Sequence, residues 1–69
     1  MDDVRDPQRK LICRADGFTG LVEIRVRDGR YRFRLPVGYT MEYRKGVYVT
    51  CLTRKNERLF VYEHYADEL

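Results

Sequence analysis

Hydrophobic and polar residues alternate almost without interruption from Leu21 to Leu35, through Leu-Val-Glu-Ile-Arg-Val-Arg-Asp-Gly-Arg-Tyr-Arg-Phe-Arg-Leu. A period of two is the signature of a half-buried strand, and Asp-Gly at the midpoint is a strong signal for a two-residue hairpin turn. A turn at Asp28-Gly29 predicts Arg27 opposite Arg30, Val26 opposite Tyr31, Arg25 opposite Arg32, Ile24 opposite Phe33, Glu23 opposite Arg34 and Val22 opposite Leu35. From Val22 onward the apolar residues then share one face and the charges the other. A slip of one residue would mix the two sets.

The same reading extends along the chain. Residues 1–9 hold Pro7 and almost nothing apolar, which predicts a disordered tail. Lys10 to Ala15 reads as a first strand, with Leu11 and Cys13 on one side and Ile12 and Arg14 on the other. Asp16-Gly17-Phe18-Thr19-Gly20 is a loop, and Pro36-Val37-Gly38 closes the central hairpin, since proline cannot donate to a ladder. Tyr39 to Arg44 and Val47 to Thr53 form a second hairpin around Lys45-Gly46. A two-residue turn there sets Tyr43 opposite Tyr48 and Glu42 opposite Val49. A three-residue loop sets Tyr43 opposite Val47, Met41 opposite Val49 and Tyr39 opposite Cys51, and it is favoured because it gathers six apolar residues on one face. A turn at Arg54-Lys55-Asn56-Glu57, with Asn56 suited to the left-handed conformation, leads into a last strand from Arg58 to Tyr65. Residues 66–69 read as a C-terminal tail.

Phe60, Tyr62 and His64 fall on one side of that last strand, and Leu59, Val61 and Tyr65 on the other. Tyr48 and Leu52 likewise oppose Val47, Val49 and Cys51. A strand apolar on both faces is covered twice or meets another chain. The whole predicts a single all-β domain over residues 10–65. It has about six short antiparallel strands in a meander, forming a small SH3-like or Sm-like barrel or a strongly curved sheet.

At 69 residues the chain lies near the lower limit for a self-sufficient core. No apolar run is long enough to cross a bilayer, and the polar start Met1-Asp2-Asp3-Val4-Arg5-Asp6 is no signal peptide, which predicts a cytoplasmic home. In such a setting Cys13 and Cys51 read as small buried hydrophobes, with a disulfide as the alternative.

Charge is unevenly placed. Residues 10–65 carry twelve basic residues against six acidic ones, inside a chain whose total is +3, and eleven of the fourteen basic residues are arginine. Guanidinium grips phosphate or carboxylate with two parallel hydrogen bonds, so such a body implies a polyanion or an acidic protein surface as partner.

Catalytic constellations are scarce. There is no serine, and the one histidine, His64, stands in a strand beside Tyr62 and Tyr65. Cys13, Cys51 and His64 lack the short spacings of a zinc site, and Gly17 and Gly20 lack the lysine and helix of a phosphate loop. The reading is a non-enzyme without metal or cofactor. A metal-free RNA-cleaving toxin is the one enzyme class that arginine and tyrosine leave open.

The expected function is therefore binding. Arg25, Arg27, Arg30, Arg32 and Arg34 share a face where like charges oppose one another, an arrangement a phosphate backbone would relieve. Arg44, Lys45, Arg54 and Lys55 at two loop tips would extend the track. Tyr39, Tyr43, Tyr48, Tyr62, Tyr65 and Phe18 are candidate stacking rings, several of them needed for the core. With no recognition helix, and Gln8 and Asn56 the only side-chain amides, RNA or single strands are expected in preference to duplex DNA. The acidic ends, Asp2-Asp3 and Asp67-Glu68, could fold across the arginine face. The alternative is a small protein-binding regulator or a self-associating adaptor, as in a homodimer, using Tyr48, Leu52, Leu59 and Val61.

Overall fold

A computed structural model describes residues 1–67 of the chain. It is all-β: β1 (Asp2–Arg5), β2 (Leu11–Ala15), β3 (Leu21–Val26), β4 (Gly29–Arg34), β5 (Thr40–Lys45), β6 (Tyr48–Asn56) and β7 (Leu59–Ala66), with no helix among the described residues. Every pairing is antiparallel between sequential neighbours, giving a four-stranded sheet, β1-β2-β3-β4, and a three-stranded sheet, β5-β6-β7. The meander is as expected, with one strand more than anticipated and two sheets in place of one hydrogen-bonded wall.

The additional strand lies where a tail was expected. Residues 2–5 pair with β2 because Val4 has a buried place opposite Cys13, and because Asp6 ties the connecting loop. Its Oδ1 accepts the backbone N–H groups of Gln8 and Lys10, both at 2.9 Å, while Arg9 takes a positive φ of 67°. The C-terminal tail also begins later than expected. Ala66 ends β7, and the Asp67 N–H donates to the Val47 carbonyl at 2.7 Å; positions 68 and 69 of that tail lie outside the described residues.

The core joins the two sheets. Val4, Ile12, Cys13, Ala15 and Val22 from the first sheet meet Leu35 and Leu52, with Ile24, Met41, Tyr43 and Phe60 packed at the margin. Ile12 and Cys13 are buried side by side because β2 carries a bulge. Arg5 pairs with Leu11 and Val4 with Cys13, which leaves Ile12 as the extra residue and turns it inward. Leu11 and Arg14 face out, so the simple alternation expected for this strand fails at Ile12.

The central hairpin keeps its predicted faces but not its predicted register. Val26 pairs with Gly29, Arg25 with Arg30, Ile24 with Tyr31, Glu23 with Arg32, Val22 with Phe33 and Leu21 with Arg34. The turn is Arg27-Asp28, and neither Asp28 nor Gly29 has positive φ. A shift of two residues leaves every side chain on its own face, so hydrophobic patterning cannot choose between the registers. The observed one sets Glu23 directly opposite Arg32, with Arg30 and Arg34 on its diagonals. In the predicted one it would have faced Arg34 with Arg32 as its single arginine diagonal.

The second hairpin differs more. Met41 pairs with Leu52, Tyr43 with Thr50, Arg44 with Val49 and Lys45 with Tyr48, around a Gly46-Val47 turn in which Gly46 has φ of 62°. The favoured three-residue loop would have placed Val49 on the core side. Leu52 takes that side instead, at 1% exposure, while Val49 is 0% exposed on the opposite face. Val49 has its own cover, because it lies between Arg44 and Tyr65. The Arg44–Asp67 ion pair, at 2.8 Å, spans the strand above it, and the Tyr65 hydroxyl reaches across to Glu42 at 3.4 Å. β6 is thus covered on both sides, one of the two outcomes its sequence allows.

The last turn is Glu57-Arg58. Lys55 is bulged out between Arg54 and Asn56, and the Asn56 side chain accepts the Arg58 N–H at 2.8 Å rather than adopting a left-handed backbone.

Candidate nucleic-acid interface

The outer face of the first sheet is built by register. Asp3 pairs with Arg14, Arg14 with Glu23, and Glu23 with Arg32, so one straight row across all four strands alternates acid, base, acid, base. Arg25, Arg30 and Arg34 share that face with the row, and Arg5 lies beside Asp3. Six arginines therefore surround two carboxylates, an excess greater than that of the whole chain.

How those carboxylates are used decides what the face can do. Glu23, its side chain only 13% exposed, holds Arg32 at 2.9 Å and Arg30 at 3.8 Å, in both cases through Nε. Asp3 meets Arg14 through Nε as well, at 3.3 Å, and Arg5 through Nη2 at 3.3 Å. Of these three Nε contacts the Arg32 one is a hydrogen bond and fixes the plane of its guanidinium; all three leave the two terminal nitrogens, and four of the five donors, unspent. The side chains of Arg14, Arg30 and Arg32 remain about half exposed. Arg25 and Arg34 make no ion pair among the described residues. The face is a set of water-accessible donors, with a hollow of about 70 Å³ at the β2 bulge bordered by Leu11, Arg14, Glu23 and Arg25.

Of the nine predicted phosphate-binding residues, four (Arg25, Arg30, Arg32, Arg34) lie together on this face. Arg27 sits in the turn at its tip. The other four do not continue the track. Arg44 is on the outer side of the second sheet, locked to Asp67, whose carboxylate and charge hold its pKa above the usual value. Lys45 lines a cleft of about 390 Å³ between the two sheets' tips, where Tyr43, Tyr48 and Thr50 face Asp6 and Gln8. Arg54 is a brace between the sheets: Nη1 donates to the Leu35 carbonyl at 3.2 Å and Nη2 to that of Phe18 at 3.5 Å, while its Nε is buried without a partner. Lys55 is exposed in the β6 bulge.

The predicted protein-binding set is not one surface. Leu52 is in the core and Tyr48 borders the cleft, whereas Leu59 and Val61 are exposed on the other side of β7. The rings divide similarly. No aromatic side chain shares the arginine face; Tyr31 and Phe33 alternate with Arg30, Arg32 and Arg34 along β4 and point the opposite way. Of the acidic ends, Asp3 does lie on the arginine face, as a member of the row, whereas Asp67 is held by Arg44 on the second sheet; Glu68 lies outside the described residues. Arg14 was missed because a single basic residue in a short strand carries no signal until its neighbours in register are known.

His64 accepts or donates one hydrogen bond, Nδ1 to the Thr50 hydroxyl at 2.8 Å, with Tyr62 edge-on at 5.5 Å. Cys13 is buried in the core while Cys51 lies on the outer side of the second sheet, and both are free thiols. Among the described residues no group of three or more His, Cys, Asp or Glu could hold a metal ion, and no helix is long and apolar enough to cross a membrane. Comparison with known protein families, with curated proteins and with solved structures finds no match.

Proposed function

We propose that this chain is a small β module of the SH3-like or Sm-like kind that binds the phosphate backbone of nucleic acid across the outer face of its first sheet. One observation carries the reading: Glu23 hydrogen-bonds Arg32 through Nε, and the Nε atoms of Arg14 and Arg30 lie within ion-pair range of Asp3 and Glu23, so that none of the three spends its terminal donors on these carboxylates. Arg25 opposite Arg30, with Arg25 in no ion pair among the described residues, adds a repulsion that a solubility device would have avoided and that phosphates would relieve.

Without rings on that face, contact is made to phosphate and sugar and is tolerant of sequence. RNA and single strands are favoured over duplex because a flexible chain follows the twist of a sheet. A stiff duplex, with a persistence length of about 150 base pairs, touches such a surface at few points. Arg14, Arg25, Arg30, Arg32 and Arg34 are the binding residues, with Arg27 at the tip.

The test is fluorescence anisotropy with a labelled single-stranded RNA and a duplex of equal length. Arg25→Glu with Arg34→Glu is the informative variant, since neither residue holds the fold through an ion pair. Tight binding by the wild type at low salt, lost in the double variant, is the expected result. Equal affinity of the two proteins, or no binding by the wild type, would refute the reading. The second reading, a protein-binding regulator, rests on the eight-residue edge strand β7, which exposes Leu59, Val61, Tyr62 and Tyr65. Retention of a protein partner by the double variant would favour it.

A further inference from the structure

We infer that copies of this chain join edge to edge, β4 of one against β1 of the next, so that the first sheet continues from molecule to molecule. This inference stands apart from the nucleic-acid reading and does not depend on it.

The two outer edges of the first sheet carry opposite charge. β1 begins Asp2-Asp3, whereas β4 presents Arg30, Arg32 and Arg34 with all six of its residues exposed. Among the described residues neither edge donates or accepts a backbone hydrogen bond outward, and an unpaired edge is a template for another strand. Pairing β4 with a second β4 would bring arginine rows together, and pairing β1 with a second β1 would oppose aspartates. Only the mixed junction matches charge.

Geometry permits it. Four antiparallel strands leave β4 running opposite to β1, so β1 of a second copy docks antiparallel with the same face outward. The row Asp3–Arg14–Glu23–Arg32 then continues in step into Asp3 of the second copy, flanked diagonally by Arg30 and Arg34. On the inner face the same register brings Tyr31, 63% exposed in the single chain, beside Val4 of the second copy. Two contacts oppose it: Arg30 comes opposite Arg5 of the second copy, and Phe33, on the inner face, comes opposite Asp2. Arg5 is folded back onto Asp3 and onto the Arg9 carbonyl, which draws its charge away from the junction.

Each junction is short, because β1 has four residues, and is correspondingly weak and sensitive to salt. The contact is head to tail, so it closes into a ring or runs on as a filament. Each added copy presents its arginine face on the same side.

The test uses full-length protein freed of nucleic acid, verified by its absorbance ratio. Sedimentation velocity is run over about a hundredfold range of concentration. The expected result is a species of 8.4 kDa at low concentration and a mass at least doubled at high concentration, reversed by salt of about 0.5 M. Asp3→Arg alone and Arg32→Asp alone should each stay monomeric, and their equimolar mixture should associate, because Arg32 of the first then meets Asp3 of the second. A wild type monomeric throughout overturns the inference. So does association of either single variant, or failure of the mixture when both components show wild-type circular dichroism. Should Arg32→Asp not fold, Asp3→Arg against wild type still decides: unchanged association refutes the junction.

Discussion

Leu52→Ala tests whether the two sheets depend on each other, which is what holds the arginine face in shape. Leu52 is 1% exposed and, among the described residues, the only buried hydrophobic residue that the second sheet sends to the shared core. Truncating a buried leucine to alanine costs about 2–5 kcal/mol, depending on how far its surroundings collapse. Here Met41 is directly opposite and flexible enough to settle into part of the space, which places the cost near 3 kcal/mol. A chain of this size has only about 3–5 kcal/mol in hand, so a loss of that order lowers the folded-to-unfolded ratio about 150-fold and leaves the variant marginal at room temperature. Val49 is the control. It is equally buried but outside the shared core, beneath Arg44 and Tyr65, and Val49→Ala removes two methyl groups under a cover that can settle, for about 1.6 kcal/mol. With no tryptophan in the chain, urea unfolding is followed by far-ultraviolet circular dichroism at neutral pH. A Leu52→Ala protein within about 1 kcal/mol of wild type, or a costlier Val49→Ala, would show that the sheets are not joined through this residue.

Four further outcomes are expected. Arg25→Glu places a carboxylate opposite Arg30 and should raise the urea midpoint, by a stabilisation of some tenths of a kcal/mol, while weakening RNA binding; a variant that loses both would show that Arg25 serves the fold. If about five arginines neutralise phosphates, log affinity for a single strand falls with log salt at a slope near −3.5, and an Arg25→Ala/Arg34→Ala variant, which keeps three of them and adds no opposing charge, should show about −2; a wild-type slope shallower than −1 would count against the surface. Burial raises the Cys13 thiol to about 11. Its neutral form is favoured in the folded state, so stability is complete below pH 9 and declines as pH rises toward 11, by about 2–3 kcal/mol in all; Cys13→Val should flatten that decline in pH-dependent urea melts. Gly20 has φ of 76°, and a Cβ there would collide with the Arg54 guanidinium, whereas Gly46, with φ of 62°, has open space around it. Gly20→Ala should therefore lower the thermal midpoint distinctly more than Gly46→Ala, and equal shifts would mean that Arg54 is no brace.

What the amino-acid order determined by itself is the assignment of side chains to faces. Alternation from Val22 to Phe33 puts arginine on one side and Val, Ile, Tyr and Phe on the other under either register, since registers two residues apart leave the faces intact. That is why the arginine face was legible although every predicted cross-strand pair in it was displaced. Tertiary structure decided whatever depends on a distant partner. A four-residue strand with a single apolar side chain shows no periodicity, and Val4 becomes a strand residue only because Cys13 and the Asp6 turn receive it. β6 is apolar on both sides, so its core face was settled by Leu52 finding Met41 while the Arg44–Asp67 pair and Tyr65 closed over Val49. Arg54 reads as one more loop-tip cation, and its conversion into a brace follows from carbonyls 19 and 36 residues away. The alternating row Asp3–Arg14–Glu23–Arg32 draws one residue from each of four strands, and only assembled strands can place them in line.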